Sequence, residues 1–414
     1  MKKILVQKYG GTSVGDTERI KNVARRIIES KNQGYEIIAV VSAMGDTTDN
    51  LIKMAKDVNS KPSARELDML LSTGEQISVS LLAMAIEKMN YEVISLTGPQ
   101  CGIITNSSHK KARIVNIKTD RMMNELSNGK IIIAAGFQGI SYEDNITTLG
   151  RGGADTTAVA IAAALNAVKC EIYTDVEGVY TTDPRIVKNA RILKKISYDE
   201  MLEFAQLGAK VLHPRSVELA RKFKVPLVVR SSFSKSEGTE ITEVDKMEKV
   251  LVRGVTLDDD IAKISVLEVP DKPGIAYSVF STLAKNNINF DMIIQNVNRD
   301  SVNDITFTVK KDDLSEALNI TDKIAKEIGA LRVEHDTSVT KLSVIGTGIA
   351  GSAEVASAFF GTLYEKKINI QMISTSEIKI SCIIDQKQGV QALQSLHERF
   401  KLDGIEIISD QEEL

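Results

Sequence analysis

The sequence predicts an α/β protein: a three-layer αβα sandwich around a mainly parallel sheet, followed by small α+β domains. Two observations carry this. Through the first part of the chain, short β-branched runs alternate with amphipathic stretches of helical period. Further on, the sequence repeats itself, and each copy reads strand, loop, helix, strand, strand.

Ile4 to Gln7 is a strand-like run that ends in a glycine-rich loop. From Asp16 to Ser30 the apolar residues Ile20, Val23, Ala24 and Ile27 recur at helical intervals, with charges on the other face. Ile37 to Val41 is continuously apolar, as a strand covered on both faces requires. Val93 to Leu96, Lys130 to Ala135, Ile172 to Thr174 and Leu227 to Arg230 read as further strands, with helices over 65–89, 154–167 and 198–222. The polar stretch 232–248 has the texture of a linker. Beyond it, 263–293 resembles 341–373; Lys263 and Lys341 are 78 residues apart, Ile288 and Ile368 are 80 apart. The repeat implies paired small domains whose strands extend a shared sheet. The expected boundaries are 1–240, a linker and leading strand over 241–260, then 261–336 and 337–414.

Composition narrows the function. A chain of 414 residues exceeds what one core usually serves. A net charge of -3 gives no electrostatic case for nucleic acid or an anionic membrane. No apolar run reaches the roughly 18 residues that span a bilayer, and the start MKKILVQKYGG is a poor signal peptide. Cys101, Cys170 and Cys382 are odd in number and far apart, which speaks against a disulfide framework or zinc cluster and for a reducing cytoplasm. The four histidines show no metal-ligand spacing, so no protein-held metal is expected.

Four elements carry chemistry. Lys8-Tyr9-Gly10-Gly11-Thr12-Ser13 places a lysine beside glycines whose N–H groups can approach an anion, ahead of a helix N-terminus. The lysine precedes the glycines, unlike in a P-loop. A flexible turn with a solvated lysine is the plainer alternative. Gly150-Arg151-Gly152-Gly153-Ala154-Asp155-Thr156-Thr157 opens an Ala-rich helix and offers a guanidinium fork for a carboxylate. The alternative there is a helix capped by Asp155 or Thr156. Thr73-Gly74-Glu75 puts a carboxylate within a helical region, where a surface position is the commoner outcome. Ser42-Ala43-Met44-Gly45-Asp46-Thr47-Thr48 is small and hydroxyl-rich after a buried strand, where open α/β sheets hold ligands. Together they describe an anion cradle with one lysine, one arginine, two acids and hydroxyls, which suits phosphoryl transfer. The residues leave the acceptor open.

In order along the chain, KYGGTS, SAMGDTTDNL, STGEQIS, GFQG, TLGRGGADTTAVA, YTDVEGVYTTDPR and GAKVLHPRSVE resemble the aspartate kinases of the amino acid kinase superfamily. The resemblance covers nearly the whole chain. The C-terminal repeats resemble that family's paired ACT domains, which are ferredoxin-like, with DKPGIA as the loop of the first. The resemblance implies MgATP and L-aspartate as substrates and 4-phospho-L-aspartate as product, at the start of lysine, threonine and methionine synthesis. It implies that Lys8 stabilises the transferring phosphoryl group, aided by backbone N–H groups of Gly10 and Gly11, and that Asp155 organises Lys8 and the substrate ammonium. Arg151, with Gly152 and Gly153, would hold the aspartate α-carboxylate and Glu75 the α-amino group. Ser42, Thr47 and Phe137 would line the pocket. ATP contacts would fall on Thr174, Asp175, Tyr180, Arg185 and Lys210. Effector positions would be Asp271, Gly274, Ala276, Gln295 and Asn296 in the first small domain, and Asn369, Ile370 and Ser376 in the second. Lysine, threonine or both are the implied effectors, and a homo-oligomer the implied assembly.

Two departures stand out. Ala154 occupies the place of the family's Ser in GRGGSD, which removes a hydroxyl near the substrate and implies weaker binding or slower turnover. The later ACT loop reads Ala350-Gly351-Ser352-Ala353-Glu354-Val355-Ala356 in place of a His-Pro-Gly sequence ending in Thr, which leaves effector identity open. Met247, upstream of the repeats, is placed where some relatives start a separate regulatory subunit. A kinase of another amino acid, such as glutamate, and a non-catalytic amino-acid sensor remain the alternatives. Glu75 argues against an N-acetylated substrate; Lys8, Arg151 and Asp155 argue against a sensor.

Overall fold

Lys3–Tyr9 (β1) is an inner strand of the large sheet, with Leu5, Val6 and Tyr9 buried. Thr17–Asn32 (α1) follows, started by Asp16, which accepts a hydrogen bond from the Arg19 N–H, and it turns Ile20, Val23, Ala24, Ile27 and Ile28 inward. Tyr35–Val41 (β2) pairs parallel to β1. Next come Thr47–Val58 (α2), Ala64–Glu87 (α3), Val93–Leu96 (β3), Ile103–Thr105 (β4), Ile114–Ile117 (β5), Asp120–Ser127 (α4) and Ile131–Ala135 (β6). Gln138–Ser141 (β7), Ile146–Thr148 (β8), Gly153–Ala164 (α5), Lys169–Thr174 (β9), Lys195–Ser197 (β10), Tyr198–Gln206 (α6), Pro214–Phe223 (α7), Leu227–Ser231 (β11) and Thr239–Thr242 (β12) complete this part.

The computed structural model describes residues 3–209, 211–243, 251–286, 288–297, 302–349 and 351–404. Within them the chain forms two units. The first comprises Met1–Val179, Ile192–Gln206 and Lys210–Asp245; the second comprises Tyr180–Arg191, Leu207–Ala209 and Lys246–Leu414. The first unit thus comprises three stretches of chain.

The large sheet runs β10-β12-β11-β9-β1-β2-β6-β3 and is parallel except where β11 meets β12. Strand β1 has β2 on one side and β9 on the other, so the chain winds both ways from it. That reversal opens a crevice at the carboxyl ends of the strands. Its core is Val, Ile, Leu and Ala from β1, β2 and β6, packed under α1 and α3.

Three sequence expectations change here. The single helix expected over 198–222 is two, α6 and α7, because Pro214 opens α7 and holds His213 extended, at φ -80° and ψ 135°. A second sheet, β5-β4-β7-β8, went unforeseen because its strands are only three or four residues long. Helix α3 is long and apolar enough to pass for a membrane span, although no such run was expected; half of that stretch is buried within the fold.

In the second unit, Leu251–Asp258 (β13) precedes Ile261–Pro270 (β14), Ile275–Lys285 (α8), Phe290–Val297 (β15), Val302–Lys310 (β16), Leu314–Ile328 (α9) and Arg332–Asp336 (β17). Val339–Thr347 (β18), Ala353–Glu365 (α10), Met372–Ser376 (β19), Lys379–Asp385 (β20) and Gly389–Arg399 (α11) follow. The order β15-β16-β14-β17 with α8 and α9 is a ferredoxin-like domain. The other sheet is β13-β18-β20-β19. The two repeats thus form separate four-stranded sheets and not the shared sheet expected. The leading strand β13 joins the second domain, skipping the first. The domains meet through Ile261, Met292, Val339, Met372 and Ile383, beside a Lys341–Asp291 ion pair of 2.5 Å. Tyr180–Arg191 packs Val187 into the core of the second domain, and Thr181 Oγ1 lies 3.0 Å from His397 Nε2.

Candidate active site

Successive parallel strands deliver their following loops to one edge of the sheet. The Ser42 N–H donates to the Tyr9 carbonyl at 3.1 Å, and the Gly136 N–H to the Val41 carbonyl at 3.0 Å, so the loops after β1, β2 and β6 lie side by side. Beneath them, the Tyr9 and Tyr173 rings stack at 4.8 Å, and the Gln7 amide and Tyr173 hydroxyl both donate to Glu171. This buried polar layer fixes the strand ends that carry the site.

Lys8 emerges from β1 and reaches Asp155 on α5 at 2.7 Å, with only 12% of either side chain exposed. It is not the solvated lysine of the plainer alternative. Gly11 passes so close to the 42–47 loop that a Cβ would lie 2.8 Å from the Ala43 carbonyl oxygen, and the Gly45 N–H donates to the Gly11 carbonyl at 3.1 Å. Glycine is required there by close approach.

Glu75 sits in the middle of α3, 3% exposed, which resolves the surface question raised by its sequence. Its Oε1 accepts from the Ala43 N–H at 3.1 Å; its Oε2 is buried without a partner. Burial pushes its pKa up to about 7, with the backbone N–H groups opposing. Thr47 donates its hydroxyl to the Met44 carbonyl at 2.6 Å, bracing the same loop.

On the other side, Phe137 is held at φ +69°, a left-handed conformation costly for an aromatic residue, by its N–H to Thr157 Oγ1 and its carbonyl to the Leu149 N–H. Gly136 lies against Ala154, whose methyl group would be 2.7 Å from a Gly136 Cβ. Neither Asp155 nor Thr156 caps α5: its first residue follows Gly152, at φ +68°. A Cβ on Gly152 would lie 2.2 Å from His213, which blocks any larger residue. Arg151 is exposed and, among the described residues, has no ion pair.

Lys8, Gly10, Gly11, Ser42, Thr47, Phe137, Gly153 and Asp155 thus lie at the end of β1, on neighbouring loops and on the first turns of α2 and α5, with Glu75 reaching the 42–47 loop from α3 and Arg151 and Gly152 just ahead of α5. The expected nucleotide contacts are more scattered. Thr174 ends β9 and donates to Asp175 at 3.0 Å. Tyr180 and Arg185 belong to the segment of the second unit, where Arg185 pairs with Asp183 at 2.7 Å. Lys210 lies outside the described residues, as do Met247 and Ala350.

Of the effector positions, Asp271, Gly274, Ala276 and Gln295 line a hollow of about 460 Å3 in the first small domain. Asn296 is the exposed neighbour of Gln295 on β15. Asn369 and Ile370 precede β19, and Ser376 ends it with a buried, unpartnered hydroxyl. Sequence reasoning missed Asn303, which lines the same hollow, donates to Asp271 at 3.0 Å and keeps a buried Oδ1 without a partner. It also missed Asp68, His109 and Arg215 behind the Arg151 loop. Asp68 was findable, because it stands two helical turns before Glu75 on the same face of α3.

The amino acid kinase family profile matches residues 3–231, and the ACT domain profile matches 265–323 and 342–400. An aspartokinase of Bacillus sp. strain MGA3 is 48% identical over 408 residues, spanning 98% of this chain and 99% of that one. The chain belongs to the aspartate kinase family. As a member of that family it is an enzyme, a kinase with regulatory ACT domains. Escherichia coli aspartokinase III in complex with aspartate and ADP is similar in fold, with a TM-score of 0.82 at 26% identity, over 96% of this chain and 99% of that one. The same enzyme in complex with lysine and aspartate gives 0.75 at 25% identity, over the same shares of the two chains.

Proposed function

We propose that this aspartate kinase transfers the γ-phosphate of MgATP to the β-carboxylate of L-aspartate, giving 4-phospho-L-aspartate at the head of lysine, threonine and methionine synthesis. The observation that carries the reading is the buried, half-satisfied carboxylate of Glu75 beside the Gly11 loop and the Lys8–Asp155 pair. A buried carboxylate oxygen without a hydrogen bond calls for a cation, and an α-ammonium group supplies one.

In this reading Glu75 takes the ammonium group, and the unpaired fork of Arg151 takes the α-carboxylate. The β-carboxylate then faces the glycine loop. It is already ionised at neutral pH, so the attack needs no general base, and no histidine is asked to act as one. The Gly11 N–H and the Lys8 ammonium neutralise charge on the transferring group, while Asp155 keeps Lys8 aimed; the Gly10 N–H, expected to share this task, donates instead to the Tyr173 carbonyl at 3.4 Å. Thr174 and Asp175 lie at the end of β9 as nucleotide contacts. Magnesium enters with ATP, where it neutralises phosphate charge.

The hollow lined by Asp271 and Asn303 is the proposed effector pocket. Its carboxylate and free amide oxygen suit an amino-acid ammonium group, and lysine bound to the Escherichia coli enzyme supports lysine as one occupant, with threonine as the other. The ACT domains are proposed to assemble a homo-oligomer.

The test is ATP-dependent acyl phosphate formation, trapped with hydroxylamine, with L-aspartate, L-glutamate and N-acetyl-L-glutamate in parallel. Signal with aspartate alone supports the reading. Signal with glutamate redirects it to another amino acid kinase. Folded protein that binds lysine or threonine yet phosphorylates nothing is a sensor.

A further inference from the structure

Asp68 is wholly buried, yet no step above uses it. Its carboxylate collects three donors: His109 Nδ1 at 2.7 Å, the Lys110 N–H at 3.1 Å and the Thr148 hydroxyl at 2.6 Å. A carboxylate only accepts, so His109 carries its proton on Nδ1. Two of the donors belong to the 106–112 loop. The third directly precedes Leu149, Gly150 and Arg151.

These two stretches are also tied to each other. The Ala112 N–H donates to the Thr148 carbonyl at 2.9 Å. The Arg215 guanidinium donates to the Leu149 carbonyl at 2.6 Å and to the Ala112 carbonyl at 3.1 Å. Gly150, at φ +76°, lies so near that its Cβ would be 2.8 Å from the Lys110 carbonyl oxygen. The backbone leading to Arg151 is thus held from behind by a buried anion and a guanidinium fork, while the Arg151 side chain is exposed.

We propose that Asp68, assisted by His109 and Arg215, is a positioning residue that sets the separation between the ammonium site at Glu75 and the carboxylate site at Arg151. One rigid helix gauges both ends of the α-amino acid head group. It carries Glu75 directly, and it holds Arg151 through Thr148. A loop that needed only to be folded would gain little from a charge in a dry interior, where burial is costly unless the donors must be kept in register. The inference rests on the roles proposed above for Glu75 and Arg151.

The test is titration calorimetry with L-aspartate, run first on the unsubstituted protein, followed by steady-state kinetics of the variants. Asp68→Asn is expected to raise KM for aspartate about tenfold, the scale of a lost charged hydrogen bond, and to leave KM for MgATP within about twofold. Because Asp68→Asn risks the fold, His109→Ala at the rim is the second variant. It is expected to raise aspartate KM about threefold to tenfold, with His109→Gln, which still donates, restoring most of the loss. Variants that melt earlier yet keep the wild-type aspartate KM, or that raise both KM values alike, overturn the positioning role. No aspartate binding by the unsubstituted protein overturns the functional reading beneath it, and this inference with it.

Discussion

Replacing Glu75 by Gln separates what this carboxylate does for substrate from what it costs the fold. Buried and half-satisfied, Glu75 has its pKa raised from 4.5 to about 7. A folded-state pKa above the unfolded one means that folding favours the protonated form. The stability it allows is fully present below about pH 4.5 and is lost as pH rises through 7. The difference corresponds to about 3 kcal/mol at pH 8. The amide of Glu75→Gln can still accept from the Ala43 N–H and carries no charge, so the variant is expected to be more stable than the parent at pH 8, by roughly 6–12 °C in the melting transition of this domain. The two proteins should converge below about pH 4.5. Aspartate binding moves the other way. Only ionised Glu75 pairs with an ammonium group, so the parent's KM for aspartate should fall about tenfold between pH 6 and pH 8. The variant should bind aspartate about 10- to 100-fold more weakly, with a flat profile over that range. Thermal melts at four pH values and hydroxylamine trapping at the same values give both readings. Melting curves that track each other from pH 5 to pH 8, or a flat parental KM, would refute the reasoning.

Three further outcomes follow from the geometry. Lys8→Met removes the only described cation paired with Asp155, and kcat should fall by about 100-fold or more while aspartate still binds; a kcat within tenfold of the parent would remove Lys8 from the chemistry. Ala154→Ser puts a hydroxyl beside Gly136, and should lower aspartate KM by a few-fold, on the scale of one neutral hydrogen bond; unchanged kinetics would show the hydroxyl to be dispensable here. Asp271→Ala strips the carboxylate from the hollow and should abolish inhibition by lysine or threonine without changing uninhibited kcat, read from dose–response curves with each amino acid and with both.

What was legible in the sequence has a physical pattern. Long apolar runs such as Ile37–Val41 announce doubly covered strands, and the i, i+3, i+4 spacing of Ile20, Val23, Ala24 and Ile27 announces α1, because burial on one side leaves a periodic trace. Short strands such as Ile103–Thr105 leave none, and Pro214 inside an apolar-periodic stretch was outweighed by its surroundings. The crevice was legible because glycines and charged residues there follow strand ends. The residues behind it were not. His109 and Arg215 act through backbone carbonyls and a distant carboxylate, and such partners are set by tertiary approach rather than by spacing. Asn303 likewise reads as an ordinary strand residue until its amide oxygen is seen without a donor.

The route of β13 bears on how the regulatory unit is made. Asp258 on β13 is paired with Lys341 on β18, so everything from 259 to 340 is, topologically, the loop of one hairpin. Closing so long a loop as a random coil is slow and entropically unfavourable. The first ACT domain changes that, because once β14 and β17 pair, the chain re-emerges at Asp336 alongside Lys263, close to where it entered. Its folding shortens the effective loop to a few residues. This topology predicts an order of folding events, in which the first ACT domain forms as a local unit and its completion brings β13 and β18 within reach of each other. A lesion in the first core, at Phe307 for example, should therefore slow maturation of the second domain as well as its own.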